Sequence, residues 1–426
     1  MNIFKEVLKN EVFPALGCTE PIAVAYACSI AAKETGDEIE EINIVVDPGV
    51  YKNGLAVNVP NTGGEKGNLI AGVLGALIRR PDLKMEILKD TDHGMITRAK
   101  ELIQAKKAKI SYDESKTDLY IGVSVRTRVD SVRAVIEGGH TNLILLEKNS
   151  RLIFQKKTGK DSSPVQEYKS VLKNMKISDL IDLAENIDSE DYNYLRHGIE
   201  MNTKISEAGQ KMKKVGYYLS DLMTKGYLMD DVFSSCKIMA ASASDARMAG
   251  LNFPVMSSGG SGNQGIVAIL VPYNVGKAFE IEEEKILKSI ALSHLINSYI
   301  KCFTGDLSPL CGCAIAAGVG ASAAIVYQQK GRDMKKITLA VNNLISDLGG
   351  MLCDGAKAGC ALKVVSSTDS AIRSAYMAIN DHGISEVEGF VGKTAEETIY
   401  HLSKISEIGM AKVDDIMLGI MKEKNL

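Results

Sequence analysis

The sequence predicts an α+β chain: an all-helical domain with an inserted α/β domain that carries an antiparallel sheet. Three observations point there. Between residues 41 and 157 lie short β-branched runs of alternating polarity, the pattern of half-buried antiparallel strands. From about residue 165 onward almost everything carries the 3.6-residue period of helices. The first 36 residues are helical as well and are expected to fold back onto the C-terminal helices. The expected boundaries are 1–36, 37–165 and 166–426.

Taken in order, residues 15–33 are dense in alanine and contain Gly17-Cys18-Thr19-Glu20-Pro21. Thr19 can cap the helix that follows, and Pro21 suits its first turn. Residues 41–47 (EINIVVD) and 54–59 (GLAVNV) read as strands around a Pro48-Gly49 turn. Asn61-Thr62-Gly63-Gly64 reads as a loop, and residues 68–79 as a helix whose small side chains allow close packing. Strands are expected at 110–112, 119–128, 132–137, 142–148 and 152–157, and a polar linker at 156–167. Helices follow at 176–190, 192–224, 230–249, 281–304, 313–328, 334–349 and 368–380, interrupted by a glycine-rich loop at 257–265. No internal repeat or low-complexity tract is present.

The composition narrows the function. A net charge of −3, with only eight Phe, fifteen Tyr and no Trp, leaves neither the basic surface nor the stacking platform of a nucleic-acid binder. The N-terminal segment lacks the long apolar run of a signal peptide. The apolar stretch 311–328 is built from Ala and Gly and suits a buried helix better than a membrane span. A cytoplasmic protein without membrane partners is therefore expected. Nothing in the sequence fixes the oligomeric state, and a homo-oligomer is compatible with it. Eight cysteines in a reducing compartment are poor candidates for disulfides. Five of them lie between residues 302 and 360, against about one for even scatter.

Chemistry is expected where cysteines cluster and where glycine-rich loops offer free N–H groups. Cys311-Gly-Cys313 and Cys353-x6-Cys360 supply thiolates for a soft metal centre, an iron–sulfur cluster above all. Their spacing is not that of a zinc ribbon. Buried core thiols are the competing explanation. Cys18, at a helix start, is a base, a ligand, a nucleophile or a bystander; a helix N-terminus lowers a thiol's pKa. The loop 257–265 contains Ser257, Ser258, Ser261, Asn263 and Gln264, and can cradle a carboxylate or phosphate. It is neither a P-loop nor a dinucleotide-binding fingerprint. Asn61 and Thr62 have the same character. His140, in a strand turn, stands alone.

Five blocks in order carry a resemblance: GCTEP at 17–21, PNTGGEKG at 60–67, SSGGSGNQG at 257–265, GDLSPLCGC at 305–313 and GGMLCDGAKAGCALK at 349–363. Together they resemble the L-cysteine desulfidase family, which is related to the iron–sulfur L-serine dehydratases. The resemblance implies a 4Fe-4S enzyme that converts L-cysteine to pyruvate, ammonia and hydrogen sulfide without pyridoxal phosphate. In the serine dehydratases one cluster cysteine precedes a G-V-x-x-S stretch, and two lie in a later C-D-P…P-C segment. Cys313, followed by Gly318-Val319 and Ser322, resembles the first; Cys353-Asp354 resembles the second and Cys360 the third. The last gap is shorter here, and no proline precedes Cys360. Cys311 is the alternate to Cys313. The serine dehydratases carry Ser-His-Thr where this chain has Cys18-Thr19, which implies a substrate-side role for Cys18, as base or as extra iron ligand. Thr19, Asn61, Thr62, His140, Ser257, Ser258, Ser261, Asn263 and Gln264 are the expected binders of a small amino-acid substrate. The competing readings are an L-serine dehydratase of the same type and a non-catalytic iron–sulfur redox sensor.

Overall fold

A computed structural model describes residues 1–116, 119–156 and 164–424. Residues 157–163 of the expected linker lie outside the described residues.

The chain opens with helix α1 (Ile3–Glu11), strand β1 (Pro14–Leu16) and helix α2 (Thr19–Lys33). Strand β2 (Ile39–Val46) leads into α3 (Pro48–Gly54), α4 (Asn68–Ile78), a 3-10 stretch (Pro81–Asp90) and α5 (His93–Gln104). Strands β3 (Ala108–Tyr112), β4 (Tyr120–Thr127), β5 (Ser131–Glu137), β6 (Leu143–Lys148) and β7 (Arg151–Gln155) follow. Helices α6 (Pro164–Lys173), α7 (Ile177–Glu185), α8 (Ser189–Gln210), α9 (Val215–Thr224) and α10 (Val232–Met248) lead to β8 (Pro254–Met256). Then come α11 (Gly262–Ala278), α12 (Glu283–Thr304), α13 (Ala316–Lys330), α14 (Met334–Leu348), α15 (Cys360–Ile379), α16 (Ala395–Lys404) and α17 (Val413–Glu423). No helix among the described residues is long and apolar enough to cross a membrane.

The larger sheet runs β3-β2-β4-β5-β6-β7. It is mixed, not purely antiparallel: β2 pairs parallel with β3, and the other pairs are antiparallel. The parallel pair needs a crossover, which α3, α4 and α5 provide. The expected strand at 54–59 is absent. Asp47 accepts hydrogen bonds from the N–H groups of Gly49 (2.8 Å) and Val50 (3.0 Å), so Pro48-Gly49 starts a helix instead of a hairpin turn. Two predicted helices are divided: Asp188, capping with Asp191, starts α8 afresh after α7, and residues 211–214 separate α8 from α9.

Two apolar cores organise the chain. The larger gathers the helices from α6 to α16, α9 excepted, together with α1, through Ile3, Phe4 and Val7. The second packs α2, α4 and α5 on the sheet. The two N-terminal helices thus part company. Both were expected on the helical core, yet α2 is buried all round and fits between α4 and the sheet.

A two-stranded antiparallel pair, Pro14↔Met256 to Leu16↔Pro254, joins the cores. Each strand leads directly into a helix, β1 into α2 and β8 into α11. The antiparallel pairing sends α2 and α11 off from opposite ends of this short pair, yet their N-termini, more than 200 residues apart in sequence, both reach one cavity.

Candidate active site

Beyond those N-termini lies a cavity of about 100 Å³. Cys18, Cys311, Cys313, Cys353 and Cys360 all line it, together with Glu20, Asn53, His140, Arg247, Ser261, Asn263, Gln264, Lys301, Asp306 and Lys363.

Backbone pairing assembles the cysteines. Residues 310 and 352 form an isolated antiparallel bridge. The Cys311 N–H donates to Met351 O (2.9 Å), and the Cys353 N–H donates to Pro309 O (2.7 Å). Cys311-Gly-Cys313 is thereby laid against Cys353. Gly355 then turns the chain with φ +87°, and a side chain there would overlap the Lys52 carbonyl. That close approach docks the turn on the end of α3, where the Ala356 N–H donates to Asn53 O (3.3 Å). Cys360 opens α15 and packs in one small apolar cluster with Cys18.

The four C-terminal thiols are electrostatically linked. Cys311 Sγ lies 3.3 Å from Cys313 Sγ. That contact, in which either sulfur can donate, outweighs burial and, helped by Lys363, brings Cys311 down to about 7. Cys313 is pushed well up by its hydrogen bond with Cys311, by burial, and by the neighbouring charges of Cys311, Cys360 and Cys353. Burial lifts Cys353 to about 11 and also raises Cys360. Among the described residues no three His, Cys, Asp or Glu side chains converge closely enough to hold a single metal ion. Cys28 and Cys236 are core thiols, and Cys302 lies outside this cavity.

Cys18 is the N-cap of α2, the place expected for Thr19, and its side chain makes no capping bond. Instead its Sγ–H donates to Glu20 Oε2 at 2.8 Å. Burial and the Glu20 charge push the thiol well up, and Arg247 opposes them only in part. The expectation of a low-pKa thiolate is overturned: desolvation and an adjacent carboxylate outweigh the helix N-terminus. Burial also works against ionisation of Glu20. His140, Cys18 and Asn53 overcome it, and Glu20 stays below the usual carboxylate range. Asn53 Nδ2 donates to Glu20 Oε1 at 3.1 Å. Burial pushes the His140 imidazole down, against the pull of Glu20.

The expected substrate binders divide. His140, Ser261, Asn263 and Gln264 line the cavity. The glycine-rich loop is shorter than expected, because α11 begins at Gly262 and places Asn263 and Gln264 in its first turn. Thr19, Asn61, Thr62, Ser257 and Ser258 are not among the lining residues, since their polar atoms serve the fold. Thr19 Oγ1 donates to Glu20 (3.3 Å), Asn61 Nδ2 to Leu88 O (2.9 Å) and Thr62 Oγ1 to Val59 O (2.7 Å). Ser257 Oγ donates to Glu11 O (2.9 Å), and Ser258 Oγ is held by His294 and Asn297. Glu20, Asn53, Arg247 and Lys301 were missed. Only Glu20, inside GCTEP, carried a sequence signal.

The profile of the serine dehydratase alpha chain family matches residues 82–419, which include the four clustered cysteines. The chain belongs to that family. It is 61% identical over 424 residues to a UPF0597 protein of Geobacter sulfurreducens, covering all of this chain and 99% of that one. A UPF0597 protein of Elusimicrobium minutum is 56% identical over 424 residues, with both chains fully covered. One of Clostridium tetani is 42% identical over 419 residues, with 98% of each chain covered. No solved structure matches. The match spans the elements that carry Arg247, Asn263, Gln264 and the four thiols, whereas Cys18, Glu20 and Asn53 precede it.

Proposed function

We propose that this chain is an iron–sulfur lyase acting on L-cysteine and releasing pyruvate, ammonia and hydrogen sulfide. The carrying observation is that Cys18 and four further thiols line one buried cavity. Four neighbouring thiols cannot all ionise in a buried space without a cationic centre among them. The donor set therefore fits an iron–sulfur cluster, with Cys313, Cys353 and Cys360 as holders and Cys311 beside Cys313. When bound, such a cluster supplies a Lewis-acidic iron for the leaving sulfur.

The chain's own residues manage the proton. In this reading the ionised Glu20 is the final acceptor: Cys18 hands its Sγ proton to Glu20 Oε2 as its sulfur takes the proton from the substrate Cα, a relay that leaves no free thiolate. The Cα electrons form the Cα–Cβ double bond as the Cβ–S bond breaks; the sulfur leaves as hydrosulfide and takes the proton held by Glu20, which gives hydrogen sulfide and restores the carboxylate. The aminoacrylate released takes up one water to give pyruvate and ammonia.

A second reading, L-serine dehydration by the same chemistry, is favoured by the family match. Anaerobic purification followed by iron and sulfide analysis tests the shared part, and about four irons per chain are expected. Pyruvate formation from L-cysteine against L-serine separates the two readings. A higher kcat/KM on L-serine would transfer the assignment to a dehydratase. A colourless, iron-free and fully active preparation would sink both.

A further inference from the structure

Arg247 is 3% exposed, yet among the described residues its side chain has no ion pair and no hydrogen-bond partner. Other buried cations differ. Lys52 pairs with Asp414 at 2.6 Å, and Lys301 faces Asp306 at 3.5 Å. A buried guanidinium without a counter-charge is costly, so such a group marks the place of an anion. The fold makes room for it: a side chain at Gly262 would overlap the guanidinium. Gly262 also opens α11, whose N-terminal residues Ser261, Asn263 and Gln264 line the same cavity as Arg247. A helix N-terminus and an arginine beside each other favour a carboxylate.

Around the same cavity the opposite polarity is also unsatisfied. Asn53 Oδ1, Asn263 Oδ1 and Gln264 Oε1 are buried acceptors without partners. The bond from Asn53 Nδ2 to Glu20 fixes that amide with its oxygen turned away. One unpaired cation and three unpaired acceptors are complementary to the two ends of an α-amino-acid zwitterion.

We propose that Arg247 receives the substrate α-carboxylate while Asn53, Asn263 and Gln264 accept hydrogen bonds from its α-ammonium. This rests on the amino-acid reading above, but not on which β-substituent leaves. Its test is binding, independent of turnover. Iron-loaded protein is titrated calorimetrically, under anaerobic conditions, with L-alanine and with L-alaninamide. The two share side chain and ammonium, and only the first has a carboxylate.

Wild type is expected to bind L-alanine at least about 50-fold more tightly than the amide. Arg247→Met should weaken L-alanine by about 100-fold, the loss of a charge-assisted bidentate contact, and move the amide by less than about threefold. Arg247→Lys should recover part of the preference, and iron content should stay at the wild-type level in both variants. A wild type that binds neither compound, or both equally, overturns the proposal. So does an Arg247→Met protein that keeps the preference while losing iron, because Arg247 would then balance the thiolates. A parallel loss of both compounds would assign it a purely structural role. Failure of the elimination reading has a different signature: the carboxylate preference stands, and no sulfide or pyruvate is released.

Discussion

Cys18 Sγ donates a 2.8 Å hydrogen bond to Glu20 Oε2 at the N-terminus of α2. The contact makes Cys18 a protonated thiol with a built-in proton acceptor, not a standing thiolate. It also ties two residues to one task. If the pair removes the Cα proton, Cys18→Ala should lower kcat by at least about 10³-fold, and Glu20→Gln by about 10²- to 10³-fold. Both variants should keep wild-type iron content and the same circular dichroism. Iron loss in Cys18→Ala would make Cys18 a ligand instead.

The four C-terminal thiols can be sorted by iron analysis. Cys353→Ala should lose both iron and activity, because a cluster ligand contributes binding energy as well as chemistry. Cys313→Ala and Cys360→Ala should do the same. Cys311→Ala should retain most of its iron, since Cys311 serves as the hydrogen-bond partner of Cys313 at 3.3 Å. If Cys311→Ala loses its iron and Cys313→Ala keeps it, the two exchange roles.

How much of this site is legible in the sequence depends on the kind of signal each residue carries. The gathering of Cys311, Cys313, Cys353 and Cys360 is readable, because cysteine is rare and its clustering is improbable. Asn263 and Gln264 are readable through the glycines around them. Arg247 is not: it sits in ASASDARMAG at the end of an ordinary helix, and its meaning comes from having no partner, which only three dimensions reveal. Asn61, Thr62, Ser257 and Ser258 fail for the opposite reason. Their composition is that of a ligand loop, but backbone carbonyls and core side chains claim their polar atoms. The helical class of the C-terminal half follows from periodicity. The parallel β2–β3 pair does not, because alternation alone cannot distinguish parallel from antiparallel partners.

Gly75 offers a test of packing separate from the chemistry. In α4 it lies against α2 so closely that a methyl group would overlap the backbone of Ala25. Glycine to alanine inside a helix normally stabilises by up to about 1 kcal/mol. Here the obstructing atoms are main chain and cannot rotate away, so Gly75→Ala should destabilise by about 2–3 kcal/mol. Gly419, in α17, has open space at the same position and serves as the control. Urea unfolding of Gly419→Ala should show a small gain. Equal effects at the two positions would contradict the close α2–α4 contact.

Asp306 provides a pH-dependent prediction. It binds Lys169 Nζ at 2.9 Å and faces Lys301 at 3.5 Å, while Lys301 also donates to Gly259 O. Burial opposes ionisation of Asp306, but Lys169 and Lys301 outweigh it and hold the carboxyl well below the usual range. A carboxylate depressed on folding stabilises above its unfolded value, about 3.9, and that contribution fades as pH falls through the lower folded value. Asp306→Asn should therefore cost about 2–3 kcal/mol near neutral pH. That is less than the loss typical of a fully buried pair, because Asp306 and Lys169 keep some solvent contact. The gap between variant and wild type should stay level from pH 5 to pH 8 and narrow progressively below about pH 4. Thermal unfolding across that range is the measurement. A gap that is missing at pH 7, or that widens in acid, would show that the two lysines do not depend on Asp306.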